Sequence, residues 1–451
     1  MRKIDATSGP LMKLMIIYTI PLIISSLIQH LFTIVDQAVL GHMADTSAVA
    51  SVGASGNITT LIINGFIGLS SGATLALARY VGQQNEEKIR KTIDTSLVSG
   101  LGFGVIVGIF GYALSPMLLD LTLCPKECYD GALLYLRIRF IFAPVELFNN
   151  YGTGILRTLG DTRRPLIYVT AGGLVNVVLN VILCLILPQK VAAVAIATVM
   201  SHVVSAVCIM WRLCHWEDSA RVTVSKMALD KDTFKLIIKL GIPVAIYHLI
   251  FPLANLQITP AVNSFGVDST AGRSAANSIY NLASAFTAGF GVATTTFIGQ
   301  NLGAKQYDRV KLSFRYSLIF NVLISGGLGA VCYLTGETLL GLVLGKGATA
   351  AIGFGMIYLF YVSLFSFVSA ANTTLRSTVQ AYGYPTLASI SSVFFTLVFR
   401  VIWMQFIYPL NPTYPMIMLC FTVSWTLNCI FLSASTAVLN YRFNKGIYKE
   451  I

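Results

Sequence analysis

Charge is scarce in this chain. Asp, Glu, Lys and Arg make up 11% of its 451 residues, and apolar residues 55%. A soluble chain of this length carries roughly a quarter charged residues. The mean hydropathy of +0.73 points the same way. Polar segments are scarce too: the longest, Cys214 to Lys239, is too short for a soluble catalytic domain, and there is no low-complexity tract. The five histidines are scattered, and no glycine-rich loop carries a phosphate-binding lysine. Cys184, Cys208, Cys332, Cys420 and Cys429 fall in apolar runs, where a thiol behaves as a small apolar group. Cys214-His215 lacks a second ligand pair. Cys124 and Cys128 share a loop, so a local disulfide is chemically allowed if that loop faces an oxidising compartment. These absences argue against an enzyme, a bound cofactor and a structural metal.

Apolar length is what the chain has in abundance. Runs of ~20 residues, enough to cross hydrocarbon as a helix, recur throughout. Twelve spans are expected, at 13–40, 47–78, 93–120, 129–157, 165–187, 190–213, 234–262, 270–298, 311–344, 349–376, 384–408 and 414–440. They lack the alternation of a membrane barrel. The expected fold class is an all-α integral membrane protein with twelve transmembrane helices. Arg2 and Lys3 precede the first run as in a secretory signal, but the run outlasts an h-region of about 7–15 residues and reads as a retained helix.

The two halves echo one another. Val81-Gly82-Gln83 is matched by Ile298-Gly299-Gln300, and Ile20-Pro21 by Ile242-Pro243. Val39 to Gly41 resembles Val262 to Gly266, and Thr158-Leu159-Gly160 resembles Ala381-Tyr382-Gly383. Measured from their first residues, these offsets run from 217 to 223 residues and keep the same order. Self-similarity on this scale means a duplicated bundle rather than a short solenoid repeat. The expected division is an N-terminal lobe over 1–213, a linker over 214–239 and a C-terminal lobe over 240–451.

Lys and Arg sort by side. With the N-terminus cytoplasmic, 24 of the 31 fall at cytoplasmic ends, from Arg2, Lys3 and Lys13 to Arg442, Lys445 and Lys449. The outer loops hold Lys126, Lys190, Arg273 and Lys346, while Arg137, Arg139 and Arg400 lie within spans. This asymmetry predicts both termini inside. Gln83, Arg164 and Lys305 then face the cytoplasm, and Asp45, Lys190 and Asn411 the outside. The net charge of +12 follows from topology, so nucleic acid is not an expected partner.

Polar groups inside the spans are the candidate site. An ionisable residue there costs about 2.5–3.5 kcal/mol even on the milder scales and is usually functional. Asp36 lies toward the outer end of the first span, and Glu146 near the middle of the fourth. Asn176 and Asn180, four apart in the fifth, share one helical face. Thr198 lies in the sixth. Together they can form a polar pocket with Asp36 as its anionic centre. Each also has a structural reading. Asp36 can cap its helix near the headgroups, and Glu146 can pair with Arg139 two turns earlier. The Asn and Thr side chains can serve as interhelical glue, as the small residues from Gly65 to Gly72 can serve close helix packing.

The residues also carry a family likeness. IPLIISSLIQHLFTIVDQAVLGHM followed by SAVASVGASGNI resembles the first helices of the multidrug and toxic compound extrusion (MATE) transporters. GATLALARYVGQQN, GILRTLGDTRRP, VNVVLNVIL, VAAVAIATVMSH, GVATTTFIGQNLGAKQYDRV and VQAYGYP resemble later segments, over nearly the whole chain. The resemblance implies two six-helix lobes related by a pseudo-twofold axis along the membrane normal. It implies alternating-access export of bulky organic cations in exchange for H⁺ or Na⁺, with no cofactor. Asp36 matches the family's first-helix aspartate, implicated in coupling; Asn176 and Thr198 match polar positions of Na⁺-binding members. Asn180 departs from the pattern, because many relatives carry Asp there. The lost carboxylate favours H⁺, with Na⁺ the other candidate at Asp36, Asn176, Asn180 and Thr198, while Glu146 is positioned to replace the missing charge. The expected partners are an amphipathic small molecule and membrane lipid, for a monomer in the plasma membrane. A flippase for a lipid-linked saccharide is the alternative within the wider superfamily. A membrane-embedded enzyme or receptor is the alternative outside it, and would need a catalytic cluster or an extra domain.

Overall fold

The computed structural model describes residues 4–43, 46–122, 124–218, 220–345 and 347–444. Every regular element among them is helical. The first half contains α1 (Leu11–Met43), α2 (Thr46–Gly82), α3 (Glu86–Leu121), α4 (Lys126–Ile141), α5 (Ala143–Thr158), α6 (Arg163–Ile186) and α7 (Lys190–Cys214). The second contains α8 (Lys231–Leu256), α9 (Thr259–Asn263), α10 (Val267–Gly303), α11 (Tyr307–Leu334), α12 (Gly336–Leu344) and α13 (Thr349–Tyr358). It continues with α14 (Ser366–Ala381), α15 (Pro385–Val393), α16 (Phe399–Ile402) and α17 (Tyr414–Asn444). Arg2, Lys3, Asp45, Lys346, Lys445 and Lys449 lie outside the described residues.

Eleven helical stretches among the described residues are long and apolar enough to cross a membrane. Their outer faces are apolar: Ile109 and Phe110 of α3 are 64% and 63% exposed. Such faces suit hydrocarbon, where a helix satisfies its own backbone and needs no polar surface. The stretch expected as the fourth span, 129–157, does not join the eleven. It is two 16-residue helices, α4 and α5, that carry Arg137, Arg139, Glu146 and Arg157. The break falls at Phe142: Pro144 has no N–H to donate back into α4 and instead sits in the first turn of α5, where that N–H is not needed. Phe365, between α13 and α14, has similar backbone angles and follows a π-helical turn at Leu359–Leu364.

The compact units do not coincide with the expected lobes 1–213 and 240–451. Ile24–Ala245 belongs to one unit; Asp5–Ile23 belongs to the other, with the chain from Ile246 onward. Hydrogen bonds distant in sequence explain the second grouping. The Ala6 amide donates to Gln300 Oε1 at 3.2 Å, and the Ala6 carbonyl accepts from Asn301 Nδ2 at 3.1 Å and Arg309 Nη2 at 2.9 Å. Within α1, the Tyr18 hydroxyl donates to Thr296 Oγ1 at 3.0 Å, and its ring meets Phe297 edge-on.

The structure also corrects the register of the repeat. α2 ends at Gly82 and α10 at Gly303, 221 residues apart. Gln84 and Lys305, two residues beyond each end, both have positive φ, 53° and 57°. The match of Gly82 with Gly299 is thus one helical turn out of register, because a turn of helix returns similar residues to the same face. The later echo holds, since Gly160 and Gly383 both take positive φ after α5 and α14. Small residues close the packing in each unit. A methyl group on Gly72 would meet the backbone of Ile237 and Gly241, and one on Gly272 the backbone of Ala351 and Gly355.

Candidate ion-coupling site

Four helices carry the candidate residues, all of which lie in the first unit. Asp36 comes from α1, Asn176 and Asn180 from α6, Glu146 from α5 and Thr198 from α7. The decisive contact joins positions 144 residues apart: Asn180 Nδ2 donates to Asp36 Oδ1 at 2.5 Å. The same nitrogen reaches Asn176 Oδ1 at 3.3 Å, as the four-residue spacing on one helix face allows. An ionised Asp only accepts, so the Asn180 amide must turn its nitrogen toward it. This leaves Asn180 Oδ1 buried without a hydrogen-bond partner.

Glu146 is not a free second carboxylate. Its Oε1 lies 2.5 Å from Arg139 Nη2, with the two side chains 5% and 6% exposed. The pair bridges the α4–α5 break. His202 Nε2 lies 3.6 Å from the same oxygen and adds an ion pair only when protonated; its Nδ1 meets Asn149 Nδ2 at 3.4 Å. Thr198 touches neither asparagine among the hydrogen bonds of the site. Its hydroxyl donates to the Val194 carbonyl at 2.9 Å, while the buried Tyr135 of α4 lies one turn before Arg139. Arg139 is the hinge of the cluster, because its charge acts on Asp36 as well as on Glu146.

The charges leave one anion in excess. Arg139 offsets Glu146, so an ionised Asp36 gives the cluster a net charge of −1 when His202 is neutral. One bound H⁺ or Na⁺ makes it neutral. Tyr135, Asn149 and His202 were not singled out in the sequence. The signal was there in their spacing: Tyr135 stands four residues before Arg139, and His202 four after Thr198, each pair on one helix face. Cys124 and Cys128 stand with their sulfurs 3.8 Å apart as free thiols.

A family profile covers both halves, matching residues 21–182 and 243–404 under the description MatE. The chain belongs to the MatE family. The likeness to MATE transporters read from its motifs is thereby shown, and with eleven apolar helical stretches it makes the chain a multi-pass integral membrane protein. The probable multidrug resistance protein YoeA of Bacillus subtilis is 25% identical over 390 residues, 84% of each chain. The probable multidrug resistance protein NorM of Thermotoga maritima is 23% identical, covering 81% of this chain and 78% of that one. A crystal structure of MATE in the straight conformation superposes with a TM-score of 0.89 at 21% identity, covering 98% and 99% of the two chains. A MOP superfamily transporter from Pyrococcus furiosus superposes with a TM-score of 0.91 at 22% identity, over 98% and 99%. These superpositions show a MATE-type, two-lobe fold.

Proposed function

We propose that the chain is a secondary active antiporter that exports amphipathic organic cations in exchange for H⁺ by alternating access. Relatives described as multidrug resistance proteins support the exporter reading. The observation that carries the coupling ion is the Asp36–Asn180 hydrogen bond. An amide that presents its nitrogen to the carboxylate stabilises the ionised form by donation, and that donation weakens when Asp36 is protonated. Na⁺ would need the Asn180 amide to turn its unpartnered oxygen toward Asp36 in place of this N–H, and Glu146 is already committed to Arg139.

Binding of one ion from outside cancels the excess charge of the cluster. Coupling follows when the neutral cluster favours one state of the transporter over the other, since a ligand shifts an equilibrium only by its differential affinity. Asp36 carries the ion, Asn180 holds its carboxylate and is itself braced by Asn176, and Arg139 with Glu146 fixes the surrounding charge. Tyr135 and Thr198 complete the polar wall. We further propose twelve crossings, the broken α4–α5 stretch being the fourth, with both termini in the cytoplasm of a plasma-membrane protein. No covalent chemistry is involved.

The test is substrate efflux from sodium-free proteoliposomes. An inward proton gradient alone should drive export of a fluorescent amphipathic cation. Silence under that gradient, with recovery on adding inward Na⁺, would overturn the proton assignment and make Na⁺ the coupling ion.

A further inference from the structure

The second unit buries a cation that meets no carboxylate among the described residues. Arg400, on α16 within the stretch Pro385–Leu410, is 0% exposed. Among the described residues no carboxylate stands within ion-pair distance of it. Nη1 donates to Asn255 Oδ1 at 2.9 Å, while Nε and Nη2 both reach Ser424 Oγ at 3.4 Å, near the limit of a hydrogen bond. The Phe421 ring covers one face at 4.3 Å. A guanidinium has five N–H donors. These contacts use three against neutral acceptors, leaving two donors and the formal charge unmatched. Buried charges in membranes commonly pair with one another or with backbone carbonyls; Arg139 does the first with Glu146, and Arg400 does neither among the described residues.

Two further observations separate this arginine from a structural one. First, π-helical turns flank it on both sides, at Phe394–Val398 and Trp403–Ile407. Such turns cluster at functional positions in helices. Second, the repeat gives it the position in the second half that Asn180 has in the first. Pro165 and Pro385 each lie at the start of a helix, α6 and α15, and Asn180 and Arg400 each follow by 15 residues, within the matching stretches NVVLNVI and TLVFRVI. Asn180 contacts Asp36 on α1, and Arg400 contacts Asn255 on α8, the first long helix of the second half. The same pair of helices therefore meets through a polar contact in each unit, with the charge reversed: carboxylate and amide in one, guanidinium and amide in the other.

We propose that Arg400 and Asn255 form an oxyanion-binding site that takes a carboxylate or phosphate group of the transported molecule. The planar fork of a guanidinium matches two oxygens at once, and Phe421 with the stacked Tyr280–Trp425 pair makes the buried surroundings of the fork apolar and aromatic. Asn255 is only partly buried and marks the open side. The proposal rests on the small-molecule exporter reading and widens its substrate class to anionic and zwitterionic amphiphiles.

The test uses the full chain in phosphatidylcholine nanodiscs and three probes of one shape: naphthoate, naphthamide and naphthylmethylammonium. Charge-assisted hydrogen bonding predicts about tenfold tighter binding of naphthoate than of naphthamide. That preference should vanish in Arg400→Gln, with naphthylmethylammonium binding unchanged. Arg400→Lys, which keeps the charge and loses the fork, should retain part of it. Equal affinity of the wild type for naphthoate and naphthamide overturns the proposal whether or not the variants fold. So does a naphthoate preference that survives in Arg400→Gln. Adding phosphatidic acid separates the sources of an oxyanion: naphthoate binding that persists supports the transported molecule, and binding abolished by the lipid overturns it in favour of a headgroup. Binding is measured without a gradient, so a naphthoate preference without proton-driven efflux would sink the exporter reading and leave the site standing.

Discussion

Glu146→Gln removes the partner of a buried guanidinium and little else, since the amide is nearly isosteric. Arg139 then stays 6% exposed with its charge uncompensated at the former 2.5 Å contact. Breaking a buried pair from one side costs about 3–5 kcal/mol. Asp36 lies within electrostatic reach of Arg139 and recovers part of that, which places the expected loss near the lower limit, about 3 kcal/mol. Each kcal/mol shifts melting by roughly 2–4 °C in chains of 150–250 residues and by less in longer ones, so a fall of roughly 5 °C is expected. The double variant Arg139→Gln/Glu146→Gln should melt above the single Glu146→Gln, because no unpaired charge is left. Scanning fluorimetry of the four purified proteins in one detergent completes the cycle. If Glu146→Gln melts with the wild type, or the two single losses simply add in the double variant, the pair contributes no coupling and the charge accounting of the site fails. Export should also fall in Glu146→Gln, because the freed charge of Arg139 then acts on Asp36 alone.

Asp36→Asn should fold and melt normally yet reduce proton-driven efflux to that of empty vesicles, since an amide cannot cycle a charge; wild-type efflux would reduce Asp36 to a structural residue. Asn180→Asp should make efflux respond to an inward Na⁺ gradient by supplying a second carboxylate beside Asp36, and an unchanged sodium response would remove Asn180 from the choice of ion. Single cysteines at Gln83, Arg164 and Lys305 should react with impermeant reagent only from the cytoplasmic side, and those at Asp45, Lys190 and Asn411 only from outside. Labelling of Gln83 and Lys190 from one face would break the twelve-crossing topology.

The solvent and the plan were legible in composition and spacing alone. Charge scarcity and apolar runs of membrane-spanning length fix an all-helical membrane protein, because a backbone in hydrocarbon must satisfy its own hydrogen bonds. Duplication was legible in the recurring turns after α5 and α14, where glycine takes a positive φ that other residues resist. Asn176 and Asn180 were legible as one face because helical spacing is local. What depends on distance in space was not. The repeat slipped by one turn at Gly299, since residue likeness alone does not mark where a helix ends. Glu146 read equally well as a free charge or a partner, and only the fold across the Phe142 break put it on Arg139. Asp5–Ile23 left the first half because its hydrogen bonds lie nearly three hundred residues away, at Gln300 and Asn301. Arg400 was one more cation in a span until the structure showed two neutral acceptors around it and, among the described residues, no carboxylate. A one-dimensional pattern fixes which residues share a helix face; which faces meet, and so which charges are cancelled, is decided only when the helices pack.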